Sequence, residues 1–168
     1  MTSNPMPSKP YLDSSDRMTY ARERKGEPDF DLSEYVVRKL GTKVLGFAVW
    51  MLDGPRLRHD KDIDFTSGGN PSRYRYFPDG VVGIDSEATP EDAAADIVHE
   101  AVEGTIMRDD GASYDDAHDE ANVWEWRIRD GLAKGTLEIG KDPSELAAEV
   151  LRDFGKKGSK LRKWAKRS

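Results

Sequence analysis

The chain has 168 residues, no cysteine, 26 basic and 32 acidic side chains, and a formal net charge of −6. That length holds one core with flanking tails rather than two domains, and the missing cysteines exclude disulfides and thiolate metal sites. With 36% hydrophobic residues and a mean hydropathy of −0.77, part of the chain is expected to lie outside a core. The longest apolar run, Val44 to Leu52, is too short to span a membrane.

Residues 1–28 carry Pro5, Pro7, Pro10 and Pro28 among polar and charged residues, with no apolar period and no signal-peptide core. They read as a disordered or loosely packed tail ahead of a single domain over 29–155. Ser33 is placed to cap a short helix from Glu34 to Leu40, with Gly41 as its stop. Lys43 to Leu52 is rich in valine, leucine and aromatic residues and reads as a buried strand, closed by a turn at Asp53-Gly54-Pro55. A second strand is expected around Ile63-Asp64-Phe65, then a loop over Ser67 to Pro71. Arg73–Phe77 and Val81–Ile84 read as two strands joined by the hairpin turn Pro78-Asp79-Gly80.

Near Asp85 the pattern changes from period two to period 3.6. Thr89 is a cap, Pro90 suits the first helical position, and Glu91 and Asp92 suit the positive end of the dipole. Ala94, Ile97, Val98, Ala101, Val102 and Thr105 form one apolar sector, with His99 and Glu103 one turn apart on its flank. After a turn at Asp109 to Ala112, Ser113 caps a second helix, with Asp116 three residues on. Its stripe is Tyr114, Ala117, Ala121, Trp124 and Ile128, and His118, Asn122 and Glu125 run along one edge of it. Thr136 to Ile139 suggests a short extended segment. Asp142 and Pro143 then open a last helix that runs to about Phe154 and stops at Gly155. The expected class is therefore α+β: a small antiparallel or mixed sheet, a helix pair, and a C-terminal helix.

Residues 156–168 hold seven basic and no acidic side chains, leaving 19 basic against 32 acidic in the remainder. An acidic body draws in cations, and the basic tail, with Leu161 and Trp164, suits an acidic partner, nucleic-acid phosphate or an anionic membrane surface.

Antiparallel packing of the helix pair would bring two imidazoles and two carboxylates together at the rim of the core. Zinc, or another divalent ion, accepts that ligand set. The candidate ligands are His99, Glu103 and His118, with Glu125 as a fourth ligand or as an outer acceptor that fixes the His118 tautomer. Tyr114 and Asn122 lie beside them on the second helix. Glu100, about 100° round the helix from His99, is placed like a general base for a metal-bound water.

His99-Glu100-Ala101-Val102-Glu103 resembles the His-Glu-x-x-His helix of zincin-type metallopeptidases. The resemblance implies His99 as a ligand, Glu100 as the base and His118 as the distal ligand, with a peptide or protein as substrate. Glu103 stands where that family has its second histidine; carboxylate still binds zinc but makes the bound water less acidic. Over roughly residues 44–130 the chain also resembles small uncharacterised proteins of phages and mobile elements. That second resemblance implies the host cytoplasm or a virion as location, and no particular activity. Three readings follow: a zinc-dependent hydrolase, a non-catalytic metal domain, and a metal-free partner-binding module.

Overall fold

A computed structural model of the chain describes residues 24–26 and 30–155. Four strands, β1 (Val36–Lys39), β2 (Ala48–Leu52), β3 (Gly68–Gly69) and β4 (Val81–Asp85), form a mixed sheet in the order β1-β2-β4-β3. β2 and β4 are parallel, and the two edge strands run antiparallel to their neighbours. The helices are α1 (Gly54–Asp60), α2 (Pro90–Asp110), α3 (Tyr114–Lys134) and α4 (Pro143–Val150). The class is α+β with a C-terminal helix, as expected, and no described helix is long and apolar enough to cross a membrane.

Several local expectations are corrected. Ser33 does not cap a helix to Leu40: Asp31 caps a single 3-10 turn, Leu32–Tyr35, and Val36 and Val37 then extend into β1. β-branched residues suit a pleated surface better than a helix, and pairing with β2 decides the matter. The run from Lys43 is broken by a tight turn in which Val44 and Phe47 exchange backbone hydrogen bonds, so the strand starts at Ala48. Asp53-Gly54-Pro55 opens α1 rather than a simple turn: the Asp53 side chain accepts from the Arg56 N–H, and proline is tolerated in the first helical turn.

No strand forms at Ile63 to Phe65, where Ile63 is exposed and Phe65 buried. The sheet partner is instead Gly68–Gly69, in the expected loop. A Cβ on Gly69 would meet the rings of Phe77 and Tyr74 at 2.8 Å, so only glycine lets this backbone sit so close. Arg73 to Phe77 is a succession of turns, and Pro78-Asp79-Gly80 leads into β4 without making a hairpin. β4 finds its partners in the distant β2 and β3. Thr136 to Ile139 is not a strand either. Of the expected N-terminal tail, Arg24 is buried and Lys25 bridges to Tyr74; residues 1–23 and 27–29 and the basic tail lie outside the described residues.

Two cores flank the sheet. On one face Val49, Met51, Val82 and Ile84 meet α2, α3 and α4; on the other Leu52, Leu57, Phe65, Tyr74, Tyr76 and Phe77 close over it. α2 lies between the sheet and the two following helices and is buried on nearly every side from Ala93 to Met107. It is thus a central helix, not the one-sided amphipathic helix its sequence suggests. Its polar residues His99, Glu100 and Glu103 are buried with the rest.

Candidate metal centre

The two long helices are joined through Gly111, in the left-handed conformation (φ 69°), which turns the chain back within three residues. Their caps are as expected: Thr89 Oγ1 accepts from Asp92 N and Ser113 Oγ from Asp116 N. Helical spacing stacks His99 and Glu103 on one face of α2, and the antiparallel return places His118 opposite them.

Three ligand atoms then form a nearly equilateral triangle. His99 Nε2 is 3.1 Å from Glu103 Oε2 and 3.1 Å from His118 Nδ1, and His118 Nδ1 is 3.0 Å from Glu103 Oε2. Tetrahedral zinc with bonds of about 2.0–2.1 Å separates its ligands by roughly 3.3 Å. The residues present therefore fit a small divalent ion with little movement.

Glu125 Oε1 lies 2.9 Å from His99 Nδ1, so that nitrogen donates its proton to the carboxylate. In neutral His99 the other nitrogen, Nε2, is then only an acceptor, as is Glu103 Oε2. Two acceptors 3.1 Å apart need a proton or a cation between them. In the metal-free chain a proton serves. Burial opposes charge on His99, but its hydrogen bonds to Glu103 and Glu125 outweigh that and hold its pKa up to about 10. Burial likewise disfavours ionised Glu103, yet the hydrogen bonds from His118 and His99 keep its carboxyl below the usual range. A divalent ion would take the place of that proton.

Glu125 is hydrogen-bonded to His99 rather than to His118. Its Oε1 holds His99 and its Oε2 accepts from Arg129 Nε at 2.8 Å, so both oxygens are engaged. The hydrogen bond from His99, with that from Arg129 acting against burial, lowers its pKa to about 2. Arg129 is itself held by Asp92 at 2.6 Å. Tyr114 stacks on the His118 ring with centroids 5.3 Å apart, its hydroxyl 3.4 Å from Nδ1. Asn122 lies exposed on the wall of the cleft.

Asn70 was not among the expected site residues. Its side chain is fully buried and donates to Glu100 Oε1 (3.0 Å) and Glu103 Oε1 (3.1 Å), while its own oxygen accepts from Ser72 N and Arg73 N. One amide thus holds both carboxylates. It turns Glu103 Oε2 toward the histidines and fixes Glu100 beside them. A buried asparagine in a turn signals hydrogen bonding, but nothing local in the sequence says to which distant helix. Glu100 is pushed up by burial and, next, by repulsion from Glu103, which suits a carboxylate that takes up protons near neutrality.

The triangle opens onto a cleft of about 440 Å³, within the range of small-ligand sites, lined also by Lys25, Arg73, Tyr74 and Asp96. No family model, curated protein or solved structure matches this chain, so the function is argued from the geometry alone.

Proposed function

We propose that the chain is a mononuclear zinc-dependent hydrolase whose ligands are His99, Glu103 and His118. The observation that supports this most is the 3.0–3.1 Å triangle of one oxygen and two nitrogens, which a cation satisfies better than hydrogen bonds do. A bound zinc ion supplies Lewis acidity and a water of lowered pKa. Glu100, lining the same cleft, would be the general base of such a site and could hold and release a proton there. Asn70 holds Glu100 in place through that exchange, and Glu125 keeps His99 in the tautomer that leaves Nε2 free for the ion.

Catalysis is favoured over a structural metal by ligand count. Glu125, the natural fourth ligand, is already bound at both oxygens, so three protein ligands face an open cleft. A structural site closes its fourth position with protein. The test is elemental analysis of purified protein with a peptide-hydrolysis assay. One zinc per chain is expected, lost in His99→Ala and in His118→Ala. Glu100→Gln should keep the zinc and lose hydrolysis. Absence of stoichiometric metal after zinc loading would refute the reading.

A further inference from the structure

Among the described residues, four large hydrophobic side chains stand exposed. Two of them, Val123 (44%) and Trp126 (64%), are neighbours one turn apart on α3. At about 100° per residue both lie opposite the buried stripe of Ala117, Ala121, Trp124 and Ile128, so they face away from the core. Asp115, Asp116 and Asp119 are exposed on the same side of the helix. Asp130 shares that side and is paired with Lys134 at 3.0 Å. An apolar pair beside three acidic side chains suits a segment that is both basic and apolar.

The described chain ends beside this helix. The Phe154 ring meets that of Trp124 edge-on, centroids 5.6 Å apart, and Gly155 follows. Val123 precedes Trp124 and lies about 100° round the helix from it. After Gly155 come 13 residues with seven basic side chains, no acidic one, and the apolar Leu161 and Trp164. Those two are three positions apart, as are Val123 and Trp126. Such a segment reaches about 43 Å when extended, whereas the 21 residues of α3 make a helix about 32 Å long. It can therefore span any part of this face. Because it is tethered there, its effective concentration is on the order of millimolar, an advantage that no unlinked partner has.

We propose that residues 156–168 dock on the outer face of α3, with Leu161 and Trp164 against Val123 and Trp126 and the basic side chains toward Asp115, Asp116 and Asp119. Apolar contact supplies the seat, and opposite charge sets the orientation. Lysine and arginine stems lie along the tryptophan surfaces while their charged heads reach the aspartates. The interaction stands apart from the metal reading, since none of these side chains belongs to the ligand triangle.

Paramagnetic broadening tests this in the full chain, whose lack of cysteine allows a single nitroxide at Ser159→Cys. The amide signals of Val123 and Trp126 are expected to lose most of their intensity. That of Trp50, which packs on the far face of the sheet, should keep it. Lys160→Glu combined with Lys163→Glu should restore most of the lost intensity, and so should Trp164→Ala. Trp126→Ala should do the same at Val123, with an unshifted Trp50 signal as proof of folding. Isotope-labelled chain without the nitroxide, mixed with nitroxide-bearing chain, should show no broadening. Broadening in that mixture assigns the face to a second copy and overturns the proposal. Unbroadened Val123 and Trp126 in the nitroxide-bearing chain, or broadening that survives both the charge reversal and Trp164→Ala, overturns it as well.

Discussion

Glu125 and Asp96 show how differently two neighbouring carboxylates behave when one is fully engaged and the other is not. Glu125 sits between His99 and Arg129 and is held ionised. In the proposed centre its carboxylate would orient His99, so Glu125→Gln should weaken zinc binding about 10–100-fold while leaving the fold intact. Competition with a chelating dye measures this, and unchanged affinity would remove Glu125 from the site. Asp96 is pushed up to about 6, first by burial and then by the nearby Glu125 charge, with Arg129 only 3.7 Å away as partial relief. The native state therefore binds more protons than the unfolded chain between about pH 4 and 6. Stability falls as pH rises through that window, and the cost is complete above it. Asp96→Asn should raise the melting temperature at pH 7 and leave it nearly unchanged at pH 4. A variant less stable at pH 7 would show that the Arg129 contact outweighs desolvation.

At the scale of elements, α2 determines the architecture. It is buried on nearly every side, with the sheet on one flank and α3 and α4 on the others. A helix so placed tolerates ionisable residues only when they are compensated, and His99, Glu100 and Glu103 are compensated by Asn70, His118 and Glu125. α3 holds the opposite half of the site, and its position depends on Trp124, which is 2% exposed and meets Phe154 edge-on at 5.6 Å. Trp124→Ala should cost about 3–5 kcal/mol in chemical denaturation. Trp124→Phe should cost clearly less, because the indole N–H has no hydrogen-bond partner among the described residues and its removal leaves no polar group stranded. Equal losses for the two variants would mean that the ring volume is not what holds α3.

For the whole molecule, a metal bound at the proposed centre would be linked thermodynamically to the fold. The three candidate ligands come from two helices packed on a common core, and the unfolded chain does not bring them together. Zinc at a hundred times its dissociation constant should therefore stabilise the fold by about 2.7 kcal/mol, a rise of roughly 10 °C in melting temperature for a domain of this size. A thermal scan with and without zinc reads this directly, with His99→Ala as the control expected to show no rise. An unchanged melting temperature in the parent chain would count against a preformed site. The acidic body, 19 basic against 32 acidic side chains before residue 156, favours the approach of the cation.

What could be read from the sequence was whatever is local in the chain. The Thr89, Ser113 and Asp142 caps, with Pro90 and Pro143, act within a few residues of themselves, so the starts of α2, α3 and α4 are legible, whereas α4 ends at Val150 with Leu151 as its C-cap rather than running to Phe154 and Gly155. The same holds for the candidate ligands: helical spacing joins His99 to Glu103, and a link of three residues makes α3 the neighbour of α2. The sheet was legible only in part. β1 was mistaken for helix, and strands were expected at Ile63 and Arg73, because strand identity depends on partners far away in sequence: β4 pairs with β2 and β3, and Gly68–Gly69 is a strand only through β4. Tertiary structure alone decided how the site is wired. It assigned Glu125 to His99 rather than His118, brought Asn70 under both carboxylates, and set Lys25 and Arg73 in the lining of the same cleft. Each of these joins residues at least 26 positions apart, and a hydrogen bond's partner, unlike a helix cap, leaves no trace at a fixed distance along the chain.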